Sequence, residues 1–339
     1  MPVYNAEATL DMAIGAIVND QFADMPAGCW EIVAVNDGST DRSLEILHRW
    51  EQMYPDAIHV ITGPNRGVSH ARNTAIEAAR GQWIAFIDAD DYMLPGSLPA
   101  LLHTATETGA DVVRFGYRQV PVGTRCSALN TDIHASDTCS GLEFLDHTRG
   151  MIDSRSLWNA CFGLFNRKAI HDIRFPENLI MGEDCIFTWQ VMLRNPRVAI
   201  VDIDLYIYIQ YPGSAMNNTD PTHLRRMMEG RRRFCNALLD LRDANASLIG
   251  PKAVEGLTIA ARNAHNEALI NAIILGESFA NIRRDMQAAR SRGITVKPGK
   301  PRFYDRTAHY TPGVKLRRWL AAYPLPIIVA GTGILNKGK

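Results

Sequence analysis

The chain has 339 residues, a formal net charge of +0 and a hydrophobic fraction of 46%. A chain of this length can bury a substantial core, but length does not distinguish two domains from one large α/β domain with a helical appendage. The composition excludes an intrinsically disordered chain and the one-sided basic field of a general nucleic-acid binder. It favours a partner that is small, or polymeric and uncharged.

Six cysteines are scattered along the chain without a C-x-x-C pair, which argues against a zinc site and against a compact disulfide framework. Cys126 and Cys139 share a polar stretch, and a bridge between them in an oxidising compartment is the alternative to reduced thiols. The N-terminal sequence has no basic region followed by an apolar stretch, so no secretory signal is visible. We therefore expect a cytoplasmic protein.

The first part of the chain alternates between short apolar runs and helical spacing. Residues 31–36 and 83–88 are almost continuous apolar runs, as expected of strands covered on both faces, and 59–62 is a shorter run between them. Apolar residues recur at helical spacing over residues 68–80. This β-α-β-α-β alternation predicts an α/β fold with a mostly parallel, mixed sheet, whose ligands bind at the carboxyl ends of the strands.

The middle of the chain continues this pattern less regularly. A strand is predicted over residues 111–117, followed by a polar, unpatterned stretch over 121–140. Residues 183–195 have helical spacing that Pro196 ends, and residues 198–208 form the next predicted strand.

The C-terminal part differs in character from the rest. Residues 223–292 predict two or three amphipathic helices, with breaks at Gly250-Pro251 and near Gly276. Residues 315–335 combine basic side chains with an apolar run that is too short and too often interrupted to span a bilayer. Two interpretations of this segment stay open: it lies on an anionic membrane surface, or it packs on the protein's own core.

Three carboxylates, those of Asp88, Asp90 and Asp91, lie at the end of the predicted strand 83–88. Burying such charges unpaired is expensive, and at the end of a strand Asp88 and Asp90 can point to the same side. Hard oxygen ligands at this spacing suit Mg²⁺ or Mn²⁺ that shares its other positions with diphosphate oxygens. The alternative is an ordinary Asp-rich turn, because D-x-D occurs by chance in many proteins.

Two further motifs follow predicted strands. In residues 36–41, Gly38 permits a sharp turn that leaves Asp37 free to accept hydrogen bonds from a ligand, although the Ser and Thr after it equally suit a helix cap. Arg66 and Arg72 place two guanidinium groups at the start of a helix, where dipole and charge favour phosphates. The sequence contains neither G-x-G-x-x-G after a strand nor a P-loop, so a dinucleotide or P-loop site is not indicated.

These motifs, in this order and spacing, resemble those of the family 2 glycosyltransferases, which have the Rossmann-like glycosyltransferase A fold. The resemblance is carried by Pro2-Val3-Tyr4-Asn5, by residues 36–41, by Asn65-Arg66-Gly67 with Ala71-Arg72-Asn73, by residues 86–91 and by residues 175–187. Several ordered motifs are together far more specific than any one of them.

The resemblance implies a role for each matching residue. The residues that would bind the nucleotide sugar are Pro2, Val3, Tyr4, Glu7, Asp37, Arg66, Arg72, Asp88, Ala89 and Asp90. Asp88 and Asp90 would bind the Mg²⁺ or Mn²⁺ ion that bridges the diphosphate. In Gly182-Glu183-Asp184, Asp184 would be the catalytic base; the alternative is that both acidic residues are only favourable charges at a helix N-terminus.

The implied function is inverting transfer of a sugar from a nucleotide sugar, with UDP preferred, to a hydroxyl of a glycan or lipid-linked glycan in bacterial surface polysaccharide synthesis. On this interpretation residues 1–215 form the catalytic domain, with a nucleotide-sugar half over 1–117 and an acceptor half over 118–215. Residues 216–339 form a helical C-terminal region. The expected location is the cytoplasm, with peripheral contact to the inner face of the cell membrane through 315–335 as one alternative.

Two features depart from the family pattern. Only Met1 precedes the Pro-Val-Tyr-Asn motif, where several apolar residues are usual, and residues 208–214 lack the basic residue that many relatives carry there. A non-catalytic sugar-nucleotide-binding or scaffold protein of the same fold is therefore the main alternative. A nucleotidyltransferase would show an early Gly-rich loop with a basic residue, which this sequence lacks.

Overall fold

A computed structural model of the chain describes residues 1–23, 25–26, 28–127, 132–147, 159–211 and 220–294. The chain divides into two compact units, Met1–Pro212 and Gly213–Lys339. The predicted domain boundary between residues 215 and 216 lies outside the described residues, as does the predicted surface segment 315–335.

The first unit is an α/β structure. Its strands are β1 (Pro2–Val3), β2 (Ile32–Asp37), β3 (Ile58–Gly63), β4 (Trp83–Ala85), β5 (Tyr92–Met93), β6 (Val112–Pro121), β7 (Asp137–Ser140), β8 (Gly163–Asn166) and β9 (Arg197–Gln210). Its α-helices are α1 (Leu10–Gly15), α2 (Ser43–Met53), α3 (Val68–Ala78), α4 (Ser97–Thr108), α5 (Gly141–His147), α6 (Arg167–Ile170) and α7 (Glu183–Leu193). A π-helical turn over Ala16–Gln21 continues α1, and a 3₁₀ turn over Ala160–Phe162 precedes β8.

A three-stranded parallel sheet in the order β1-β2-β3 forms the N-terminal part of this unit. Every residue of β2 is buried, as its apolar run predicted. Ala71 and Ala75 of α3 pack against Val33 and Val35 of β2. The small alanine side chains allow the helix to lie close to the sheet, which brings the polar residues of α3 near the strand ends.

The second sheet has the strand order β4-β8-β6-β9-β5. Strand β5 pairs with the C-terminal part of β9, and β7 pairs with the N-terminal part of β9. Within this sheet only β6 and β9 pair in parallel. The β6–β9 register shifts at Gly116, where a Cβ atom would lie 2.3 Å from the Oδ1 atom of Asp204, so a larger residue would require the Asp204 side chain to move. The α/β class and the mixed pairing are therefore confirmed. The predicted mostly parallel character holds for the N-terminal sheet, whereas the second sheet is mostly antiparallel because β4, β5, β7 and β8 all pair in the opposite direction to their neighbours.

The chain leaves the regular strand β4 earlier than the apolar run 83–88 predicted. The strand ends at Ala85, and the next residue, Phe86, turns its ring into an aromatic cluster. Its ring centroid lies 6.0, 5.2 and 5.5 Å from those of Phe165, Phe175 and Phe187, in each case edge to face. Such ring pairs add to the stabilisation that burial of the side chains provides. The cluster therefore fixes the position of Phe86 and of the acidic residues that follow it.

The second unit is helical in its described residues, as predicted. It contains α8 (Pro221–Asn245), α9 (Pro251–Ile274) and α10 (Phe279–Ser291). Proline occupies the first turn of both α8 and α9, and Gly276 has a φ of 72° in the turn before α10, so the predicted breaks are confirmed. In the described ranges, no helix combines the length and the apolar character needed to cross a membrane.

A buried histidine interrupts the apolar core of the second unit. His265 on α9 is 6% exposed, and its Nε2 atom has no hydrogen-bond partner among the described residues. Burial lowers the pKa of His265, Arg232 of α8 lowers it further, and Asp285 of α10 acts in the opposite direction. His265 is therefore held in its neutral form.

We expect mild acid to destabilise the second unit through His265. Because the pKa in the folded state lies below the ordinary value of 6.5, the stability is complete above that pH and is lost as the pH falls toward the folded pKa. The substitution His265→Leu should reduce this loss by up to about 1.4 kcal/mol per pH unit. Thermal unfolding followed by far-UV circular dichroism, at a series of pH values from neutral to mildly acidic, measures it.

His103→Leu is the control, since the His103 side chain is 66% exposed on α4. This variant should show the pH dependence of the wild type. Equal pH dependence in the wild type and His265→Leu would contradict the prediction.

Candidate active site

One buried guanidinium joins the two acidic motifs. The Arg72 side chain on α3 is 4% exposed, and its Nη2 atom donates to Oδ1 of Asp88 at 2.9 Å. Its Nη1 atom donates to Oε1 of Glu183 at 3.0 Å and to Oδ1 of Asp184 at 2.6 Å. Asp88 lies beyond β4 and Asp184 in the first turn of α7, so segments far apart in sequence meet at one side chain. The structure thus brings the predicted residues Asp88, Asp184 and Arg72 together.

The surroundings of Asp184 favour a proton acceptor. Burial raises the pKa of the Asp184 carboxyl well above its ordinary range, and Glu183 and Asp88 raise it further, while Arg72 opposes them. A base is most effective when its pKa approaches the working pH. The Asp184 side chain is still 20% exposed, so a ligand can reach it.

Arg72 itself remains charged. Burial disfavours the guanidinium ion, but the carboxylates of Asp184, Asp88 and Glu183 outweigh it and hold the pKa of Arg72 well above its ordinary range. The expectation that Arg72 offers its guanidinium to phosphate is therefore corrected, because three carboxylates already occupy it. That Arg72 forms part of the nucleotide-sugar site stays a prediction.

The aspartates beyond β4 have different environments. Asp91 is 1% exposed and accepts hydrogen bonds of 2.9 Å from the Tyr206 hydroxyl and from the Ile209 N–H. Burial, together with Asp90 and Asp88, raises the pKa of Asp91 to about 8. The Tyr206 hydroxyl in turn accepts a hydrogen bond from the Asp88 N–H at 3.2 Å. Asp91 thus anchors the acidic turn to β9.

Of the three aspartates beyond β4, Asp88 and Asp90 are available to a ligand. The Asp88 side chain is 28% exposed, and Asp90 is exposed and makes no ion pair with any described residue. Loss of hydration and the proximity of Asp88 raise the pKa of Asp90, so the two carboxylates are close enough to repel each other.

These residues fit a divalent cation that is only partly held by the protein. The described part of the chain contains no group of three or more His, Cys, Asp or Glu residues arranged to hold a metal ion. Mg²⁺ commonly needs just one or two carboxylates when substrate phosphates supply the other oxygens. The mutual repulsion of Asp88 and Asp90 is what a cation between them would relieve.

The turn after β2 differs from the sequence-based expectation. Asp37 is 6% exposed, and its two carboxylate oxygens accept hydrogen bonds from the N–H groups of Arg66 and Gly67, both at 2.8 Å. The expectation that Asp37 is left free is therefore wrong: it fixes the loop that precedes α3. Gly38 is required here, since its φ is 72° and a Cβ atom would lie 2.6 Å from the Asn65 nitrogen. A contact between Asp37 and the base stays a prediction.

The predicted N-terminal residues are held in part by the protein itself. Pro2 and Val3 pair with β2, and Val3 is 1% exposed. Tyr4 is 51% exposed at the end of β1, where a ligand can reach its ring. Glu7 accepts hydrogen bonds from the N–H and the Nε of Arg42, at 3.1 and 3.3 Å.

The remaining predicted residues are Arg66 and Ala89. Arg66 is exposed and forms an ion pair of 3.3 Å with Glu177, which also contacts His70 at 3.1 Å. Ala89 is buried, and its carbonyl accepts a hydrogen bond from the Thr9 hydroxyl at 2.9 Å.

Sequence reasoning missed two residues that shape the site, Cys161 and Tyr206. Cys161 donates a hydrogen bond of 3.7 Å from its Sγ to Oδ2 of Asp88, and burial raises its pKa so that it stays a thiol. Tyr206 lies inside a predicted strand, and its contacts with Asp88 and Asp91 are distant in sequence, so neither residue carries a local signal. Glu183, which the sequence places in the second acidic motif beside Asp184, accepts a hydrogen bond from Arg72.

The chain matches the glycosyl transferase family 2 model over residues 1–171, slightly more than half of its length. It is 30% identical over 217 residues to the uncharacterized glycosyltransferase EpsJ of Bacillus subtilis, which covers 63% of this chain and 61% of EpsJ. It is 28% identical over 224 residues to the poly(ribitol-phosphate) beta-glucosyltransferase of Bacillus spizizenii, which covers 64% of this chain and 33% of that protein. The chain thus spans less than two thirds of each relative.

Solved structures share the fold. The S. aureus TarS fragment 1–349, determined in complex with UDP-GlcNAc, has a TM-score of 0.54 and a sequence identity of 20%. The superposition covers 86% of this chain and 86% of the fragment. The likeness therefore extends beyond the region that the family model matches.

We expect Arg72 to be essential for stability. The substitution Arg72→Leu leaves buried carboxylates without a counter-charge and should lower the free energy of unfolding by about 3–5 kcal/mol. Arg72→Lys should lower the free energy of unfolding less than Arg72→Leu, because lysine keeps the positive charge. It should not match the wild type, since one ammonium group cannot reproduce the forked geometry of arginine. Urea unfolding followed by tryptophan fluorescence measures both.

The matched control is Arg66→Leu, which removes an exposed ion pair with Glu177 and should lower stability by no more than about 1 kcal/mol. An Arg72→Leu variant as stable as Arg66→Leu would show that the carboxylate cluster does not depend on Arg72.

Proposed function

Because the chain belongs to glycosyl transferase family 2, we propose that it transfers a sugar from a nucleotide sugar to a hydroxyl group. The observation that carries the proposal is the contact of Asp88, in the first acidic motif, and Asp184, in the second, with the same Arg72 guanidinium. Transfer needs a group that stabilises the leaving diphosphate and a base for the attacking hydroxyl in one site.

The proposed donor is a UDP-sugar. Two observations support this: the fold is shared with TarS, whose fragment was solved with UDP-GlcNAc and with UDP, and the predicted donor residues lie at strand ends. Val3 ends β1 and Asp37 ends β2 in one parallel sheet. Open α/β sheets bind ligands at the carboxyl ends of their strands. The exposed ring of Tyr4 extends this edge.

We propose that Asp88 and Asp90 hold a divalent cation, Mg²⁺ or Mn²⁺. When bound, such an ion stabilises negative charge on the leaving diphosphate. The protein's own contribution is to keep the carboxylates in place: Arg72 and Cys161 fix Asp88, while Asp90 stays exposed to the donor.

In the proposed reaction, Asp184 accepts the proton of the acceptor hydroxyl. The hydroxyl oxygen forms a bond to the anomeric carbon as the bond from that carbon to the diphosphate oxygen breaks, so the configuration inverts. The raised pKa of Asp184 strengthens it as a base. Arg72 is a positioning residue, because it holds Oδ1 of Asp184 while also holding Asp88.

The proposed acceptor is a hydroxyl of a glycan or lipid-linked glycan in bacterial surface polysaccharide synthesis. The relative named as a poly(ribitol-phosphate) beta-glucosyltransferase supports an acceptor of this class. We further propose that the protein works in the cytoplasm, with peripheral contact to the membrane through residues 315–335. Nucleic acid is not a proposed partner.

The donor site can be tested by titrating UDP into the full chain by calorimetry, with and without Mn²⁺. UDP should bind at least about tenfold more tightly with the metal, because an ion held by Asp88 and Asp90 would offset the negative charge of the diphosphate. Asp90→Ala should abolish this gain, whereas Asp56→Ala, at an exposed position after α2, should retain it. Equal affinity of wild type and Asp90→Ala in the presence of Mn²⁺ would refute the metal site. A folded protein that binds none of UDP, GDP and dTDP would favour the non-catalytic scaffold.

The base can be tested with Asp184→Asn. Loss of a general base should reduce sugar transfer, or slow hydrolysis of the UDP-sugar, by a factor of about 10²–10⁴. The affinity for UDP should stay near that of the wild type, since Asp184 acts on the acceptor. UDP release measured with a panel of UDP-sugars gives the rate, and Asp202→Asn, at an exposed position on β9, is the control. A variant with wild-type turnover would remove Asp184 from the mechanism.

A further inference from the structure

The zero net charge of the chain hides an uneven division between its two units. Residues 1–212 contain 27 Asp and Glu against 15 Lys and Arg, whereas residues 213–339 contain 21 Lys and Arg against 9 Asp and Glu. The sequence-based preference for an uncharged partner came from the whole-chain balance. It does not apply to the second unit, which carries a strong positive excess.

Part of this excess lies on two neighbouring helices. Met228 of α8 and Ile282 of α10 belong to one core cluster, and Arg232 of α8 pairs with Asp285 of α10. The exposed arginines that lie within about one turn of these contacts and form no ion pair with a described residue make up what we call the arginine face. It consists of Arg225, Arg226, Arg283 and Arg284.

The acidic residues nearest to the arginine face along the chain have other partners. Glu229 pairs with Arg233 at 3.1 Å, and both Glu277 and Asp285 pair with Arg232. Asp220 caps the N-terminus of α8, where it accepts hydrogen bonds from the N–H groups of Thr222 and His223. None of the four arginines of the face forms an ion pair in the part of the chain that the structure describes.

The other segments of the second unit contain few acidic residues that could neutralise the arginine face. Residues 213–219 contain no acidic residue, and residues 295–339 contain only Asp305 against nine Lys and Arg. The four guanidinium groups of the face add positive charge to two neighbouring helices, and a partner with negative charge is attracted to them. The arginine face is therefore complementary to an anionic surface.

We propose that the arginine face binds lipid phosphate groups at an anionic membrane surface. The planar fork of arginine fits phosphate oxygens, and each basic residue near an anionic bilayer adds to the attraction. The same unit contains Trp319, Tyr323 and an apolar run at 319–335, and basic, aromatic and apolar residues together are typical of the membrane interface. A soluble phosphate polymer would match the arginines but gives no reason for the aromatic and apolar residues.

The arginine face consists of residues other than those of the proposed donor site and those of the proposed contact through 315–335. Stable peripheral binding commonly needs two weak signals that act together, and the arginine face would be one of them. Its failure would leave the proposed sugar transfer untouched, because calorimetry with UDP and binding to vesicles are independent measurements.

The test is co-sedimentation of the full chain with phosphatidylcholine vesicles, with and without phosphatidylglycerol. The wild type should bind only the anionic vesicles, and added salt should weaken the binding. Each basic group that reaches the membrane surface should strengthen the binding roughly fivefold. Replacing the four arginines of the face by glutamine should therefore weaken the binding at least about tenfold, even if only two of them reach the surface. The double variants Arg225→Gln/Arg226→Gln and Arg283→Gln/Arg284→Gln should each give an intermediate loss.

The control removes the same number of charges from exposed positions of the first unit. It replaces Arg49, Arg118, Arg125 and Arg194 by glutamine and should bind vesicles as the wild type does. Circular dichroism confirms that each variant is folded. Three results would overturn the proposal: equal binding to neutral vesicles, wild-type binding by the fourfold variant, or a preference for soluble polyphosphate over vesicles at equal phosphate concentration.

Discussion

The burial of one guanidinium among three carboxylates is the interaction on which the candidate site depends. Removing Arg72 from water costs several kcal/mol, and only close carboxylate partners can offset that cost. These partners come from the end of β4 and the start of α7, so the cluster is satisfied only when α3, β4 and α7 are in place together. The two halves of the first unit are thus joined at the residues proposed to act on donor and acceptor.

The aromatic packing beneath the cluster supports the same geometry. The Phe175 and Phe187 rings stack at 4.0 Å between centroids, and the Arg72 guanidinium lies 5.3 Å from the Phe175 centroid. A guanidinium over a ring face gains further stabilisation when it is shielded from water. The apolar side chains therefore position Arg72 as well as filling the core.

Local periodicity made much of this architecture predictable, and long-range pairing made the rest unpredictable. The buried strand β2, the helix from Glu183 and the helical second unit all follow from patterns within a few turns of chain. The hydrogen bonds of the Asp37 carboxylate could not be predicted in this way, because their donors are N–H groups of a loop that follows β3. The zero net charge likewise does not reveal how charge is divided along the chain, because a sum conceals the excess of each part.

The charges of the site bear directly on the proposed cation. A nucleoside diphosphate brings negative charge to a place where Asp88, Glu183 and Asp184 already outnumber the Arg72 guanidinium that binds them. Arg66, the other basic group predicted to contact phosphate, is exposed and paired with Glu177, where solvent screens its field. Repulsion between the diphosphate and the carboxylates would therefore oppose binding unless another positive charge enters with the donor. The proposed divalent cation at Asp88 and Asp90 would supply that charge where the two carboxylates already repel each other.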